Sequence, residues 1–299
     1  MKEGAPMEFT CSLCPRRCGA LRTDTVGHGF CRMPAAPVIA RAALHFGEEP
    51  CISGQNGSGT VFFAGCTLRC GFCQNREISR GPVGKAVTTA RLAEIFRELV
   101  KQGAANINLV NPTHYAAAIR EALMLYRPPV PVVYNSGGYE TVDTLRSLEG
   151  LIDVYLPDLK YLSPSLSGAL SGATDYATFA CDAVLEMARQ TGPAVFDEHG
   201  MITRGTVVRH LVLPGHTAES LAVIDWLSRH LPEGALTSLM FQYTPMADID
   251  GFPELSRRLT ARECEKVWRH LADTDLDGYV QDRESAGTQM IPIFDTTGV

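Results

Sequence analysis

The feature that most constrains the fold is an alternation of short apolar segments with helical patterns, which begins after Gly59. The apolar segments are bounded by turn residues, as buried strands are. Strands that alternate with helices form parallel sheets with right-handed crossovers. Six such units favour an α/β fold built as a partial (β/α)6 barrel over a doubly wound sheet. In both architectures the active site lies at the carboxyl ends of the strands.

The individual elements can be placed from this pattern. Strands are predicted at residues 60–64, 106–110, 131–135, 152–157, 207–213 and 236–243. Helices are predicted at residues 88–103, 114–126, 139–148, 175–192, 217–231 and 260–272. Thr88 is expected to cap the first of these helices. Before the fifth strand, "VFDEHGMITRGTVV" interrupts the alternation and predicts a β-hairpin that turns at His199–Gly200.

The first 55 residues differ from the rest of the chain. They are rich in Cys, Arg, Gly and Pro and show little periodicity. Such a segment buries little core alone and needs a metal or the main domain to order it. We therefore predict a Cys-rich N-terminal segment over residues 1–55 and a partial-barrel domain over residues 56–299. Within "HFGEEPCISG", His45, Glu48 and Glu49 could close over the barrel.

The composition is that of a globular enzyme, with 45% hydrophobic and 20% charged residues. The net charge is −6 and no basic patch stands out, which argues against nucleic-acid binding. The amino terminus has no apolar run typical of a signal peptide, and no segment approaches the roughly 18 apolar residues of a membrane span. We therefore expect a cytoplasmic protein without membrane contact, whose ten cysteines serve as metal ligands rather than in disulfides.

Three cysteines follow the first predicted strand directly. Cys66, Cys70 and Cys73 lie in "FAGCTLRCGFCQN". A closed structural zinc site takes four protein ligands, and an ordinary cubane cluster takes four thiolates. Three thiolates can hold three corners of a [4Fe–4S] cubane, which leaves the fourth iron free to bind a small molecule. The alternatives are a three-ligand zinc site and a loop of buried cysteines without metal.

This C-x3-C-x2-C pattern, with Phe72 just before the last cysteine, resembles the radical S-adenosylmethionine (SAM) superfamily. The resemblance implies a [4Fe–4S] cluster on Cys66, Cys70 and Cys73, and SAM chelated to the open iron. It also implies an electron donor such as flavodoxin or ferredoxin. In that family one electron cleaves SAM to methionine and a 5′-deoxyadenosyl radical, which abstracts hydrogen from a substrate.

Further motifs are similar to those of glycyl-radical-enzyme activating enzymes, of which the pyruvate formate-lyase activating enzyme is the best known. The matching motifs, between about residues 58 and 245, are "CGFCQN", "LPDLKY", "VVRHLVLPG" and "YNSGG". The resemblance implies that Asp158, Lys160 and Arg209 are catalytic residues that face the cofactor. It implies that Phe72, Asn75 and Ser136 bind the cofactor.

Residue chemistry is compatible with these roles. Side chains two apart on a strand point the same way, so Asp158 and Lys160 should converge on one spot. Arg209 at a strand end is a natural clamp for a carboxylate or a ribose. The alternative for all three residues is an ordinary structural ion pair.

One stretch departs from the activating-enzyme pattern. Where that group carries Gly-Gly-Glu, which holds the amino group of the cofactor, this chain reads "NLVNPTHY". Asn111 and Thr113 could supply the hydrogen bonds in place of the carboxylate. This stretch and "FQYTPM" resemble a subgroup described as pyruvate formate-lyase activating enzyme-related.

Two other patterns are typical of metal sites. Cys11, Cys14, Cys18 and Cys31 could form a closed four-thiolate site for zinc or for a second iron–sulfur cluster, or remain free thiols. "DTDLDGYVQDRE", from Asp273 to Glu284, satisfies the EF-hand calcium pattern. No helical pattern follows it, so we interpret it as an acidic turn after which "YVQ" returns beneath the barrel.

Three functions remain open at this point. The first is a radical SAM enzyme that activates a partner protein by abstracting hydrogen from a glycine. The second is a radical SAM enzyme that acts on a small molecule or an RNA, although the acidic charge argues against RNA. The third is a non-enzymatic iron–sulfur or zinc protein. Fold and cluster alone do not decide between them, because both are shared by many chemistries.

Overall fold

The computed structural model describes residues 8–81, 83–282, 287 and 291–299. The strands are β1 (Glu8–Thr10), β2 (Leu21–Thr23), β3 (Val38–His45), β4 (Ser58–Phe63), β5 (Lys85–Ala86), β6 (Ile107–Val110), β7 (Val132–Ser136), β8 (Val154–Pro157), β9 (Val195–Phe196), β10 (Ile202–Leu211), β11 (Leu236–Met240) and β12 (Gly278–Gln281). The helices are α1 (Pro50–Ser53), α2 (Arg76–Arg80), α3 (Thr89–Lys101), α4 (Ala116–Leu125), α5 (Val142–Arg146), α6 (Pro164–Ser171), α7 (Tyr176–Thr191), α8 (Thr217–His230) and α9 (Ala261–Ala272).

The main sheet has the order β5-β3-β4-β6-β7-β8-β10-β11-β12. Neighbouring strands from β4 to β12 in this order are parallel, and β3 runs antiparallel to β4. The six predicted strands are therefore confirmed as the centre of an α/β partial barrel. The predicted hairpin is also present, because β9 pairs antiparallel with β10.

The Cys-rich segment contributes directly to this sheet. Its strand β3 pairs with β4 from Ile39 opposite Phe63 to His45 opposite Ser58. The predicted boundary after residue 55 falls between these two paired strands. The preceding part of the segment forms a small separate sheet, in which β1 pairs with β2.

The segment at residues 278–281 does not return beneath the barrel as expected. It forms β12 and extends the sheet in parallel beside β11. Gly278 makes this pairing possible, because a Cβ atom there would lie 1.9 Å from the carbonyl oxygen of Thr237. The twelfth position of the EF-hand pattern, Glu284, lies outside the described residues.

Helices pack on the sheet through the apolar faces that the sequence predicts. In α3, Leu92, Ile95, Phe96 and Leu99 are buried at helical spacing. The side chain of Thr88 accepts a hydrogen bond from the backbone N–H of Arg91, which confirms the predicted cap. Within the described ranges, no helix combines the length and the apolar character needed to cross a membrane.

Candidate active site

The loop after β4 carries the cysteine triad at the carboxyl edge of the sheet. Cys70 is buried, whereas Cys66 and Cys73 are partly exposed. The Cys66 Sγ accepts a hydrogen bond of 3.3 Å from the backbone N–H of Leu68. The Cys70 Sγ accepts one of 2.9 Å from the hydroxyl of Ser171. Both sulfur atoms therefore accept a hydrogen bond, and hydrogen bonds to ligand sulfurs tune the potential of iron–sulfur clusters.

The donor set fits an iron–sulfur cubane better than a single ion. Among residues 8–81, 83–282, 287 and 291–299, no three His, Cys, Asp or Glu side chains are gathered as ligands of one metal ion. In a cubane each cysteine thiolate binds a different iron, so the ligands need not converge on one point. Three thiolates without a fourth protein ligand in the loop are compatible with a cluster that keeps one open corner.

A cavity of about 610 Å³ opens beside the triad. Its volume lies within the range of small-molecule and cofactor sites, which is roughly 300–1,000 Å³. Cys70 and Cys73 line it on one side. The other predicted site residues that line it are Phe72, Asn75, Asp158, Lys160 and Arg209. The fold thus brings two cysteines of the triad and five other predicted catalytic or cofactor-binding residues to one cavity.

Arg209 is the centre of a polar network in this cavity. Its Nε donates to Asp158 Oδ1 at 2.9 Å, its Nη1 to Glu48 Oε2 at 3.0 Å, and its Nη2 to Asn135 Oδ1 at 2.6 Å. Lys160 donates to the second oxygen of Asp158. The side chains of Asp158 and Lys160 converge, as their spacing predicted, and they also form an ion pair with each other.

The charges in this network stabilise one another. Burial alone would raise the pKa of Asp158, but Arg209 and Lys160 together bring its pKa below the ordinary value. Burial would likewise lower the pKa of Lys160, yet Asp158 and the neighbouring Cys70 raise that pKa. The pKa of Arg209 is raised by Asp158, Glu49 and Glu48 in spite of burial. All three side chains are therefore charged at neutral pH.

Glu48 enters the cavity from outside the predicted barrel domain. It follows β3 and accepts hydrogen bonds from Asn108 at 3.1 Å and Asn135 at 3.0 Å. His45 also lines the cavity. Glu49 instead is buried, and its Oε1 accepts from Ser238 and Gln281. The sequence placed this segment over the barrel, but it carried no signal for Asn108.

Three predicted cofactor-binding residues lie outside the lining of this cavity. The side chain of Asn111 donates to the carbonyl oxygen of Gly65. Thr113 donates to Glu140 at 2.6 Å. The hydroxyl of Ser136 accepts from the backbone N–H of Gly138 at 3.2 Å. These side chains fix the loops around the site in the described conformation.

The four cysteines of the N-terminal segment lie in the part of the chain that packs against the triad loop. Cys11 and Cys14 are buried, Cys31 is partly exposed and Cys18 is exposed. The segment approaches very closely at Gly65, where a Cβ atom would lie 2.3 Å from the Met33 side chain. Gly65 also adopts φ +79, which disfavours any other residue there.

Comparison with known proteins agrees with this geometry. The Radical SAM superfamily pattern matches residues 60–227. A protein of Methanocaldococcus jannaschii, named Uncharacterized protein MJ0674, is 30% identical over 276 residues, which cover 89% of this chain and 75% of that protein.

Solved structures show the same fold. A radical SAM methyltransferase from Sphaerobacter thermophilus matches with a TM-score of 0.51 and 14% identity, over 93% of this chain and 76% of that one. SuiB of Streptococcus suis bound to S-adenosylmethionine matches with a TM-score of 0.50 and 13% identity, over 73% of this chain. The present chain covers 48% of the SuiB chain, about half of its length. Since the family pattern covers more than half of the sequence and includes the triad loop, the chain belongs to the radical SAM superfamily.

Proposed function

We propose that this protein reductively cleaves S-adenosylmethionine and abstracts a hydrogen atom from a glycine of a partner protein, as glycyl-radical-enzyme activating enzymes do. The observation that carries the proposal is the single cavity that joins Cys70 and Cys73 to Asp158, Lys160 and Arg209. A cluster at the triad and a cofactor beside it would both be within reach of this network. Members of the family are enzymes that use a [4Fe–4S] cluster and SAM, so a non-enzymatic role has less support.

The cluster would supply the electron and the open coordination position for the cofactor. The protein would bind the cofactor and orient it. We assign the carboxylate or the ribose of the cofactor to the guanidinium of Arg209, which is already fixed by contacts on its three nitrogens. Asp158 and Glu48 keep that guanidinium in place through ion pairs of 2.9 and 3.0 Å. Such preorganisation reduces the free-energy cost of ordering on binding.

Two exposed apolar side chains in the lining of the cavity would suit a protein as substrate. Phe46 and Val280 both line it, and they remain 56% and 40% exposed. Where exposed apolar side chains form a contiguous patch, they mark surfaces that bind other proteins or ligands. A segment of a partner could pack on them while its reactive residue enters the cavity. Flavodoxin or ferredoxin would act as electron donor, and a reducing cytoplasm suits ten cysteines that form no disulfide among the described residues.

The test uses electron paramagnetic resonance. The anaerobically reconstituted and reduced protein is mixed with SAM and pyruvate formate-lyase, and the spectrum of a glycyl radical is sought. A radical that requires both SAM and Cys70, judged with a Cys70→Ala control, would support the proposal. Formation of 5′-deoxyadenosine without any glycyl radical would contradict it and favour the alternative, a radical SAM enzyme that acts on a small molecule or an RNA.

A further inference from the structure

A buried arginine lies at the centre of the N-terminal segment. Arg22 in β2 is only 1% exposed. Its guanidinium donates to the backbone carbonyl oxygens of Pro34 and His114, and it lies over the rings of Phe9 and Tyr115 at 5.6 and 5.4 Å. Its Nε has no hydrogen-bond partner among the described residues. No carboxylate in the described part of the chain forms an ion pair with it.

A buried guanidinium requires compensation for the water that it has lost. Neutral carbonyl oxygens and ring faces compensate part of this desolvation, but a full positive charge is normally paired with a negative one. Among the described residues, burial raises the pKa of the neighbouring Tyr115 phenol and keeps it neutral, so the groups beside Arg22 that can supply a negative charge are thiols that bind a metal as thiolates. The Sγ of Cys11 lies 3.8 Å from its Nη1, and Cys31 is close enough to interact electrostatically with the guanidinium.

The other thiols of the segment are close to the same place. Cys14 interacts electrostatically with Cys11 and Cys31, and Cys31 interacts with Cys11 and Cys18. Cys18 packs tightly against Gly29. A Cβ atom on residue 29 would lie only 2.9 Å from the Sγ of Cys18. Cys11 and Cys31 thus lie beside the only fully buried arginine among the described residues, and Cys14 and Cys18 lie close to these two cysteines.

We propose that Cys11, Cys14, Cys18 and Cys31 bind a second metal centre, whose net negative charge is the counter-ion of Arg22. Four thiolates on zinc or on an iron–sulfur cubane carry such a charge. Metal analysis distinguishes the two centres, because a cubane holds four iron and four sulfide whereas a mononuclear site holds one zinc.

This centre would hold the segment against the loop of the cysteine triad. Arg16 lies between Cys14 and Cys18 in the sequence. Its guanidinium donates to the carbonyl oxygens of Thr67 at 2.8 Å and Ser171 at 3.1 Å. Phe30, next to Cys31, lies between Arg16 and Arg69, at 4.0 and 4.5 Å from their guanidinium carbons. Metal binding would therefore order the residues that fasten the triad loop in place.

Metal analysis tests the site independently of any catalytic activity. The triple variant Cys66→Ala, Cys70→Ala, Cys73→Ala removes the triad and should still bind about four iron and four sulfide per chain, or about one zinc, after anaerobic reconstitution. Further substitution of Cys11 and Cys14 by Ala should abolish this binding, whereas Cys181→Ala in the triple variant should not. In the unmodified chain the same metal should appear in addition to the triad cluster. A triple variant without stoichiometric metal, together with an unmodified chain that holds one cluster only, would overturn the proposal.

Thermal unfolding of the triple variant tests the role of Arg22. With metal bound, Arg22→Met should lower the midpoint, because the centre loses its counter-ion. After chelation, the same substitution should raise the midpoint, because an unpaired buried charge is removed. The proposal predicts this reversal of sign. An effect of the same sign in both states would contradict the pairing of Arg22 with the metal centre.

Discussion

The hydroxyl of Ser171 donates a hydrogen bond of 2.9 Å to the Sγ of Cys70. Ser171 is the last residue of α6, and its Oγ also lies 3.0 Å from the hydroxyl of Tyr161. The hydroxyls of Tyr161 and Ser171 thus form a short series of hydrogen bonds that ends on Cys70, a proposed cluster ligand. Hydrogen bonds to the sulfur atoms of a cluster stabilise the additional negative charge of its reduced form.

Ser171→Ala should therefore lower the reduction potential of the triad cluster. We expect a shift on the order of tens of millivolts, because one hydrogen bond to a ligand sulfur is lost. The measurement is a redox titration of the reconstituted protein, followed by electron paramagnetic resonance. Ser167→Ala is the matched control, since Ser167 is buried on the same helix but donates to the carbonyl oxygen of Pro164. Equal potentials in the Ser171 variant and the unmodified protein would contradict this interpretation.

Arg209→Lys should weaken the binding of SAM. Lysine cannot reproduce the three contacts that Arg209 makes from three different nitrogens. Loss of a charge-assisted hydrogen bond corresponds to about a 10- to 100-fold increase in the dissociation constant. Anaerobic calorimetry with SAM measures the effect. Arg204 lies on the same strand, but its guanidinium donates to the backbone carbonyl oxygen of Gln190. The Arg204→Lys variant should therefore bind SAM as the unmodified protein does.

The stability of the fold should depend on pH through Glu140. This carboxyl is buried and accepts hydrogen bonds from Thr113 and Tyr134, and burial raises its pKa to about 7 from 4.5. Below pH 4.5 the carboxyl is neutral in both the folded and unfolded states, so its ionisation does not lower the free energy of unfolding. Between pH 4.5 and 7 it ionises in the unfolded state first, and the free energy of unfolding should fall by about 3 kcal/mol.

Glu140→Gln should remove this part of the pH dependence. Denaturant titrations at several pH values between 5 and 8 measure it. Glu186→Gln is the control, because contacts with Arg189 lower the pKa of Glu186 to about 2, so its titration lies below this range. A Glu140→Gln variant with the same slope of stability against pH as the unmodified protein would show that Glu140 is not responsible.

The central sheet could be predicted from sequence because its strands are continuous apolar runs bounded by turns. The strand β3 was missed because it lies in a segment whose cysteines and glycines obscure the apolar run of Val38–His45. The helix α6 was missed because "PSLSGALS" contains serines and Gly168, which have low helix propensity. Its N-terminus is instead supported by the side chain of Ser163, which accepts from Leu166.

In the candidate site, too, local sequence patterns predict some contacts, whereas others join residues that are far apart in the sequence. Asp158 and Lys160 directly follow β8 and Arg209 lies near the end of the neighbouring β10, so a strand pattern suffices to expect them near one another. Glu48 reaches Arg209 across 161 residues of sequence, and only the pairing of β3 with β4 brings it there. Ser171 meets Cys70 across 101 residues. Contacts of this kind depend on the packing of whole elements and leave no local pattern.

The most direct test of the account is the formation of 5′-deoxyadenosine. The protein is reconstituted with iron and sulfide under anaerobic conditions, reduced and given SAM, beside a Cys70→Ala control. We predict 5′-deoxyadenosine and methionine from the unmodified protein and none from the control. Equal amounts from both proteins, or none from an unmodified protein with a full and reduced cluster even when pyruvate formate-lyase is present, would contradict the account.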